Sequence, residues 1–398
     1  MKIDNIKMPV TATFEDVKRA AQKKSGMKNA AYFRVLKKSL DARDKNNIYY
    51  VYSAELSDKP FAETDKPFVK RAEKPCEIVI AGFGPAGVFC ALYLARAGYK
   101  PTVLERGKSV DERQKSVYKF VNDGFLDPNS NIQFGEGGAG TFSDGKLNTG
   151  IGSPLIKTIL HDFVAHGAPE DIEYLAKPHV GSDKLPSTIK SMREEIERLG
   201  GRVLFSHKLE KINVKNGKVV SVIVNGREMK ADAVVLAIGH SARDTFSELL
   251  SEGVPMEKKA FAMGVRIEHK RRDIDIAQYG AKFAPLLPAA DYRLASHKGD
   301  RGVFTFCMCP GGYVMPSASE ENMVVTNGMS LYARDGENSN SAVLCEVYPT
   351  DFSDGTLGGV ELQRQLERAA FRLGGGDYKA PVQTLGDFFS GRRSDRLF

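Results

Sequence analysis

A chain of 398 residues is longer than one small domain and predicts two to three. With 42% hydrophobic and 27% charged residues it can build a large core, which excludes a disordered or fibrous class. The net charge of +7 lies entirely in residues 1–75, which carry 17 Lys/Arg against 10 Asp/Glu. With no run of five like charges and no aromatic-rich RNA-binding signature there, a solvated basic face is favoured over a nucleic-acid partner.

Five cysteines, an odd number widely spread, do not form a disulfide framework. The opening MKIDNIKMPV has no apolar h-region, so the expectation is a cytoplasmic protein without a signal peptide. Residues 78–95 are eighteen uncharged positions, but Gly82, Gly84, Pro85 and Gly87 break them in the middle. They predict a buried strand, a turn and a helix instead of a membrane span.

Residues 1–57 predict a small basic α+β domain of β-α-β-β order. Its parts are a strand at 3–10, a helix from Thr13 to about Ser25, and strands at 32–40 and 48–56. Asp16 stands where a capping box carries Glu or Gln, a near match. Residues 58–75, with Pro60, Pro67 and Pro75 among charges, read as an extended linker. From residue 76 the pattern becomes strand–helix–strand, with a strand at 77–81, a helix at 85–97 and a strand at 101–104. Residues 108–150 read as irregular and glycine-rich. A helix at 189–199 stops at Gly200-Gly201. Short strands at 203–206, 209–214, 219–224 and 228–230 follow, with Asn216-Gly217 and Asn225-Gly226 as hairpin turns, and they read as a β-meander. A buried strand at 233–238 closes the unit at about residue 254. Residues 255–348 lack helical periodicity and predict a sheet-rich domain, and residues 360–373 predict a helix.

The segment EIVIAGFGPAGVFCALYLARAGYKPTVLERG carries Gly82-x-Gly84-x-x-Gly87 in full context. An apolar strand precedes it, a helix follows, and Glu105 ends the next strand 18 positions after Gly87. Gly82 permits the tight turn, Gly84 lets backbone approach a pyrophosphate, and Gly87 lets helix and strand pack closely. The helix N-terminus offers free N–H groups and partial positive charge to phosphates. Pro85 and Ala86 open that helix, Glu105 is a candidate acceptor for ribose hydroxyls, and Arg106 follows it. A second Gly135-x-Gly137-x-x-Gly140 has no leading strand and cannot start a long helix, so it is no second nucleotide fingerprint. Its glycines can still lie against a planar or phosphorylated ligand, which makes Gly137, Gly138, Ser143 and Lys146 candidate cofactor contacts. Lys146 can also steady negative charge during catalysis.

The helix, meander and strand ending Ala237-Ile238-Gly239 resemble the FAD domain of the glutathione-reductase-like flavoproteins. That resemblance implies FAD as cofactor, with Gly239 near it and the segment at Lys208 and Leu209 near the adenine. FGEGGAGTFSDGKL, GVRIEHK, FCMCPGGYVMPSASEE and TNGMSLYARDGENSNSA resemble the bacterial FAD-dependent dehydrogenases over nearly the whole chain. The implied fold is α/β: a Rossmann-type FAD/NAD(P)-binding domain with a β-meander (76–254), an interposed sheet-rich substrate domain (255–348), and the small N-terminal α+β domain. Residues 349–398 are expected to be an incomplete return to the FAD domain. Members of the family continue there with a Gly-Glu/Asp motif that closes over the flavin, so the chain reads as truncated, with its hold on FAD weakened.

Cys307-Met308-Cys309 is the most reactive-looking segment outside the fingerprint. On a strand both thiols share a face and can address one ligand, so Cys307 and Cys309 are candidate catalytic residues. No second cysteine pair completes a metal site. His240 follows Gly239 and is a weaker redox-site candidate, His269 is expected to be exposed, and Asn338, Asn340 and Ser341 are expected in a polar loop. The expected function is an FAD-dependent oxidoreductase acting by hydride transfer on a small molecule that the sequence does not identify, with NAD(P)H as a candidate transient electron donor. A non-enzymatic flavin or nucleotide binder, and an RNA-linked flavoprotein using the basic N-terminal unit, stay open as alternatives.

Overall fold

A computed structural model describes residues 1–61, 69–71 and 73–395. The N-terminal unit consists of β1 (Lys2–Pro9), α1 (Phe14–Ser25), β2 (Tyr32–Asp41) and β3 (Tyr49–Ser57), with sheet order β1-β3-β2. Val17 and Ala21 of α1 are buried on Ile3, Ile6, Tyr52, Ala54 and Leu56. At the start of α1, Thr13 Oγ1 accepts from the Asp16 amide at 3.2 Å, and Asp16 Oδ2 accepts from the Thr13 amide at 2.9 Å. The shorter Asp therefore completes the capping box in full. The unit is docked on its neighbours as well as folded. The Lys38 amide donates to the Tyr174 carbonyl at 2.7 Å, and Ile48 is buried with Tyr279 and Ala290. Of the predicted linker, residues 62–68 and 72 lie outside the described residues.

The middle region begins with β4 (Ile78–Ala81), α2 (Pro85–Arg96), β5 (Thr102–Glu105), α3 (Val110–Asp123), α4 (Leu155–Ala165) and α5 (Leu185–Arg198). It continues with β6 (Arg202–Phe205), β7 (Leu209–Lys215), β8 (Lys218–Val224), β9 (Arg227–Lys230), β10 (Ala233–Leu236) and α6 (Arg243–Ser251). Four strands form a parallel sheet of order β10-β4-β5-β6. Ile78, Ile80 and Val103 face α2 and α5 through Val88, Leu92, Ile189 and Met192. Val79, Ala81 and Leu104 face the meander through Leu209, Val222 and Val224. Burial on both faces explains why these strands read as continuous apolar runs.

Two expectations are corrected here. The strand after α5 is β6 of the parallel sheet, and the antiparallel meander is β7-β8-β9 alone. Residues 108–150 are not wholly irregular, because α3 occupies fourteen of them. Its buried positions are Val110, Arg113, Ser116 and Phe120, and two polar residues among four erase the apolar period.

The third region holds β11 (Phe261–Lys270), α7 (Arg271–Phe283), β12 (Ala295–Lys298), β13 (Arg301–Cys309), β14 (Tyr313–Ser317), β15 (Val325–Met329) and β16 (Asn338–Val347). The main antiparallel sheet runs β11-β16-β13-β12, with β14-β15 as a separate hairpin. Helix α7 was not expected; only Asp275 and Tyr279 of it are buried, too few for a recognisable stripe. Asn338, Asn340 and Ser341 are not in a loop but begin β16, and Ser339, Asn340 and Ser341 are completely buried. His269 is not exposed but half-buried, with Nε2 2.7 Å from the Tyr292 hydroxyl. The chain then forms α8 (Gly358–Leu373) and the short α9 (Leu385–Phe389). Among the described residues no helix is long and apolar enough to cross a membrane.

Candidate functional site

A cavity of about 700 Å³ opens at the carboxyl ends of β4, β5 and β10. The strand order places β4 between β5 and β10, so chain connections leave it toward both sides and the crevice forms where they diverge. Its floor is Gly82, Gly84, Pro85 and Ala86. Gly84 is the N-cap of α2 and makes no side-chain capping bond, and Pro85 occupies the first turn. The amides of Ala86 and Gly87 thus belong to the unsatisfied first turn of a helix, a ready anion site.

The glycines are required by close approach. Gly82 has φ +98°, and a Cβ there would sit 2.3 Å from the Ala237 carbonyl oxygen. A Cβ on Gly87 would sit 2.0 Å from the Gly82 carbonyl oxygen. Gly84 differs: a Cβ there would meet only Gly138 Cα, at 3.8 Å. The protein itself leaves room above Gly84, which fits backbone kept bare for a ligand.

Glu105 ends β5 only 5% exposed. Oε1 accepts from the amides of Gly107 at 2.8 Å and Gly135 at 3.0 Å, and Oε2 accepts from the amide of Phe83 at 2.8 Å. The carboxylate therefore ties three loops together, and one lone pair on Oε2 is left for a hydroxyl. Arg106 lines the cavity while making a bidentate pair with Asp244, both bonds at 2.9 Å. Leu209 and Gly239 line the cavity, as do Lys208 and His240.

From the second glycine segment, Gly135, Gly138 and Gly140 reach the cavity. Gly137 does not; its amide donates to the Phe83 carbonyl at 2.8 Å and fastens the segment to the fingerprint turn. Gly87 lies beneath the floor as a packing residue. Ser143 donates to the Gly328 carbonyl at 3.3 Å. Lys146 pairs with Asp144 at 3.1 Å and stands 3.7 Å from Cys309 Sγ. Ser143, Lys146, Cys307 and Cys309 thus gather at the third region and are not among the residues lining the cavity.

One positioning residue escapes sequence reasoning. Arg113 is fully buried, and its guanidinium donates to the carbonyls of Asn131 at 2.9 Å, Ile132 at 3.0 Å and Glu136 at 2.7 Å. Burial holds its pKa down to about 10. A Cβ on Gly135 would lie 2.4 Å from Arg113 Cδ, so arginine and glycine loop are fitted to one another. An arginine in a polar helix gives no periodic signal; the density of carbonyl-rich glycine loop nearby is the only hint.

The glycine cradle, the uncapped helix and the apolar wall suit a dinucleotide. Comparison with known proteins agrees. Residues 76–273 match the family model of pyridine nucleotide-disulphide oxidoreductases, and residues 260–398 match that of FAD-dependent protein, C-terminal domain-like. Residues 1–57 match a domain of unknown function. An uncharacterized protein of Clostridium beijerinckii is 47% identical over 100% of this chain and 79% of its own length. Protein FixC of Salmonella typhi is 26% identical over 48% of this chain and 41% of its own length. The FAD complex of glycerol-3-phosphate dehydrogenase from Bacillus halodurans aligns with 79% of this chain and 55% of that one, at 14% identity and a TM-score of 0.34. The two family models and the Clostridium relative carry the assignment: the chain belongs to a bacterial family of FAD-dependent oxidoreductases.

Proposed function

We propose that the cavity at the ends of β4, β5 and β10 is the FAD site, and that the diphosphate lies over Gly84 and the first turn of α2. The observation that carries this reading is the space above Gly84 beside an uncapped helix N-terminus. FAD, when bound, supplies a two-electron carrier for hydride transfer, with NAD(P)H as a transient donor. The protein's part is positional. The amides of Ala86 and Gly87 hold negative charge, the remaining lone pair of Glu105 accepts a ribose hydroxyl, and Leu209 and Gly239 face the cofactor's flanks. Arg113 and Glu105 keep the glycine segment at 135–140 in place as the opposite wall. Glu105 also disfavours a 2′-phosphate by charge, which favours FAD over NADP at this loop.

The test is Gly84→Ala. Gly84 has φ −75°, which alanine adopts freely, and no protein atom crowds its Cβ. Thermal stability of the flavin-free chain should be unchanged, while FAD affinity measured by fluorescence titration falls at least about tenfold, or about 1.4 kcal/mol. Unchanged affinity would remove the diphosphate from this position.

A further inference from the structure

Between the glycine segment and the third region's sheet lies a cluster that the cofactor site does not use. It contains Cys307, Cys309, Lys146, Arg266, Asp144 and Asn340. Residues two apart on a regular strand are separated by about 6.6 Å, whereas a disulfide needs Cβ atoms about 3.5–4.5 Å apart. A flat strand would hold the two thiols on one face but too far apart to bond. Strand β13 is not flat here. Phe306 pairs with Ala342 and Cys309 with Asn340, so three steps on β13 oppose two on β16. The extra residue is accommodated by Cys307 at φ +46°, a left-handed conformation that a cysteine rarely adopts. The bulge turns Cys309 toward its neighbour: Cys309 Sγ donates to the Cys307 carbonyl oxygen at 3.3 Å.

The surroundings are built for a thiolate. Lys146 Nζ is 3.7 Å from Cys309 Sγ. Arg266 Nη1 donates to Asn340 Oδ1 at 2.6 Å and lies 3.4 Å from the Cys307 carbonyl oxygen. Gly328 makes room for this packing, since a Cβ there would be 2.5 Å from Arg266 Nη1 and 2.7 Å from Cys309 Sγ. Asp144 and Arg334 face the cluster from behind Lys146, paired at 2.6 Å. Interaction with the Cys309 thiol, then the Lys146 and Arg266 charges, bring the Cys307 thiol below the ordinary thiol range against burial and Asp144. The same interaction and burial push Cys309 up. Cys307 is half-buried and reachable, while Cys309 is fully buried behind it.

We propose that Cys307 and Cys309 are a redox-active dithiol that exchanges with small anionic disulfides, Cys307 attacking and Cys309 resolving. In the first step the Cys307 thiolate forms a bond to one substrate sulfur, and the substrate S–S bond breaks to release one thiolate. In the second, Cys309 gives up its proton and attacks Cys307 Sγ, expelling the second thiolate. The two cysteines are oxidised to a disulfide, the substrate disulfide is reduced to two thiolates, and one proton is released to water. Lys146 and Arg266 favour both the attacking thiolate and an anionic substrate. The exchange requires no flavin, so its failure leaves the Gly84 assignment untouched, and the reverse also holds.

The experiment uses the full chain as isolated, treated with glutathione disulfide and mapped by mass spectrometry after alkylation with iodoacetamide. The expected product is an internal Cys307–Cys309 disulfide, with Cys76, Cys90 and Cys345 alkylated. Cys309→Ser should retain glutathione on Cys307, and Cys307→Ser should yield neither product. In the reduced chain, the pH profile of Cys307 alkylation should have its midpoint below the ordinary thiol range. Lys146→Met should slow Cys307 alkylation at pH 7 several-fold. The wild-type mapping and profile need no variant to fold. A stable glutathione adduct on wild-type Cys307 with Cys309 free, or a Cys307 profile identical to that of Cys345, would overturn the proposal.

Discussion

Arg243 and Glu367 form a bidentate ion pair that joins the start of α6 to α8, with Nη2 2.6 Å from Oε1 and Nη1 3.0 Å from Oε2. Both side chains are nearly inaccessible, at 7% and 10%. Glu320 accepts from Arg243 Nη1 at 2.8 Å and is held in turn by Arg364 at 2.7 Å. Three segments far apart in sequence therefore meet on one guanidinium beside the cavity at the ends of β4, β5 and β10. Arg243→Met should leave the buried Glu367 carboxylate without its cation and cost about 3–5 kcal/mol in urea unfolding. Hydrogen exchange in residues 358–373 should rise more than in β4 and β5. A loss below about 1 kcal/mol would mean that α8 is held by its apolar contacts.

The N-terminal unit offers a second prediction. Its own core around Val17 and Tyr52 is complete, yet Ile48 is buried against Tyr279 of α7. A fragment of residues 1–57 should fold alone by circular dichroism. The remaining chain should keep its FAD affinity but expose Tyr279 and Ala290, visible as increased dye binding and self-association. Ile48→Ala should cost the whole chain about 2–5 kcal/mol, as a cavity in a buried contact. A fragment without a cooperative melt would make the unit a dependent flap.

Legibility followed the physics of each segment. The Gly82 turn was readable because its glycines answer to local sterics, as the clashes at Gly82 and Gly87 show. Strands β4 and β5 were readable because burial on both faces leaves nearly unbroken apolar runs, whereas the part-exposed β6 read as a meander strand. Helix α3 was not, because it buries Arg113 and Ser116. The roles of Glu105 and Cys307 were only half readable. A carboxylate at the end of β5 is visible in sequence, but the Gly107 and Gly135 amides that occupy it come from tertiary folding. Likewise Cys-x-Cys is visible, whereas the bulge at Cys307 is set by register against β16.

The Asp144 carboxylate carries a pH prediction. Burial would raise its pKa, but the Lys146 and Arg334 charges and the Ser330 hydroxyl outweigh burial and hold it below the usual carboxylate range. A depressed folded-state pKa contributes stability fully present above the unfolded value of about 3.9, lost as pH falls through the folded value. Asp144→Asn should therefore be destabilised by about 3–5 kcal/mol at pH 7, the cost of leaving the partly buried Lys146 and Arg334 without their buried counter-ion. The gap from wild type should shrink as pH drops below about 4. A gap that stays constant across that range would show that Asp144 acts through shape and hydrogen bonds rather than charge. Removing this anion should also lower the pH midpoint of Cys307 alkylation, since Asp144 opposes thiolate formation there.

Glu105 separates two roles that the fingerprint merges. If its main task is a ribose hydroxyl, replacing it should weaken FAD binding and leave the flavin-free chain intact. The geometry predicts otherwise. Three buried amides, from Phe83, Gly107 and Gly135, end on its two oxygens, and each loses its acceptor in Glu105→Ala at about 1–3 kcal/mol when left unsatisfied. Glu105→Gln is the sharper variant. Its single oxygen can keep the Gly107 and Gly135 amides, but its NH2 group then faces the Phe83 amide, donor against donor. The Phe83 turn carries the Gly82–Gly84 floor, so the cavity loses its shape before any ligand arrives. The expected result is a flavin-free Glu105→Gln chain destabilised by about 1–3 kcal/mol in urea, with faster exchange of the Phe83 and Gly135 amides and a matching fall in FAD affinity. An unfolding midpoint equal to wild type, with FAD affinity alone reduced, would make the ribose contact the whole of Glu105's role and leave the three amides as incidental neighbours.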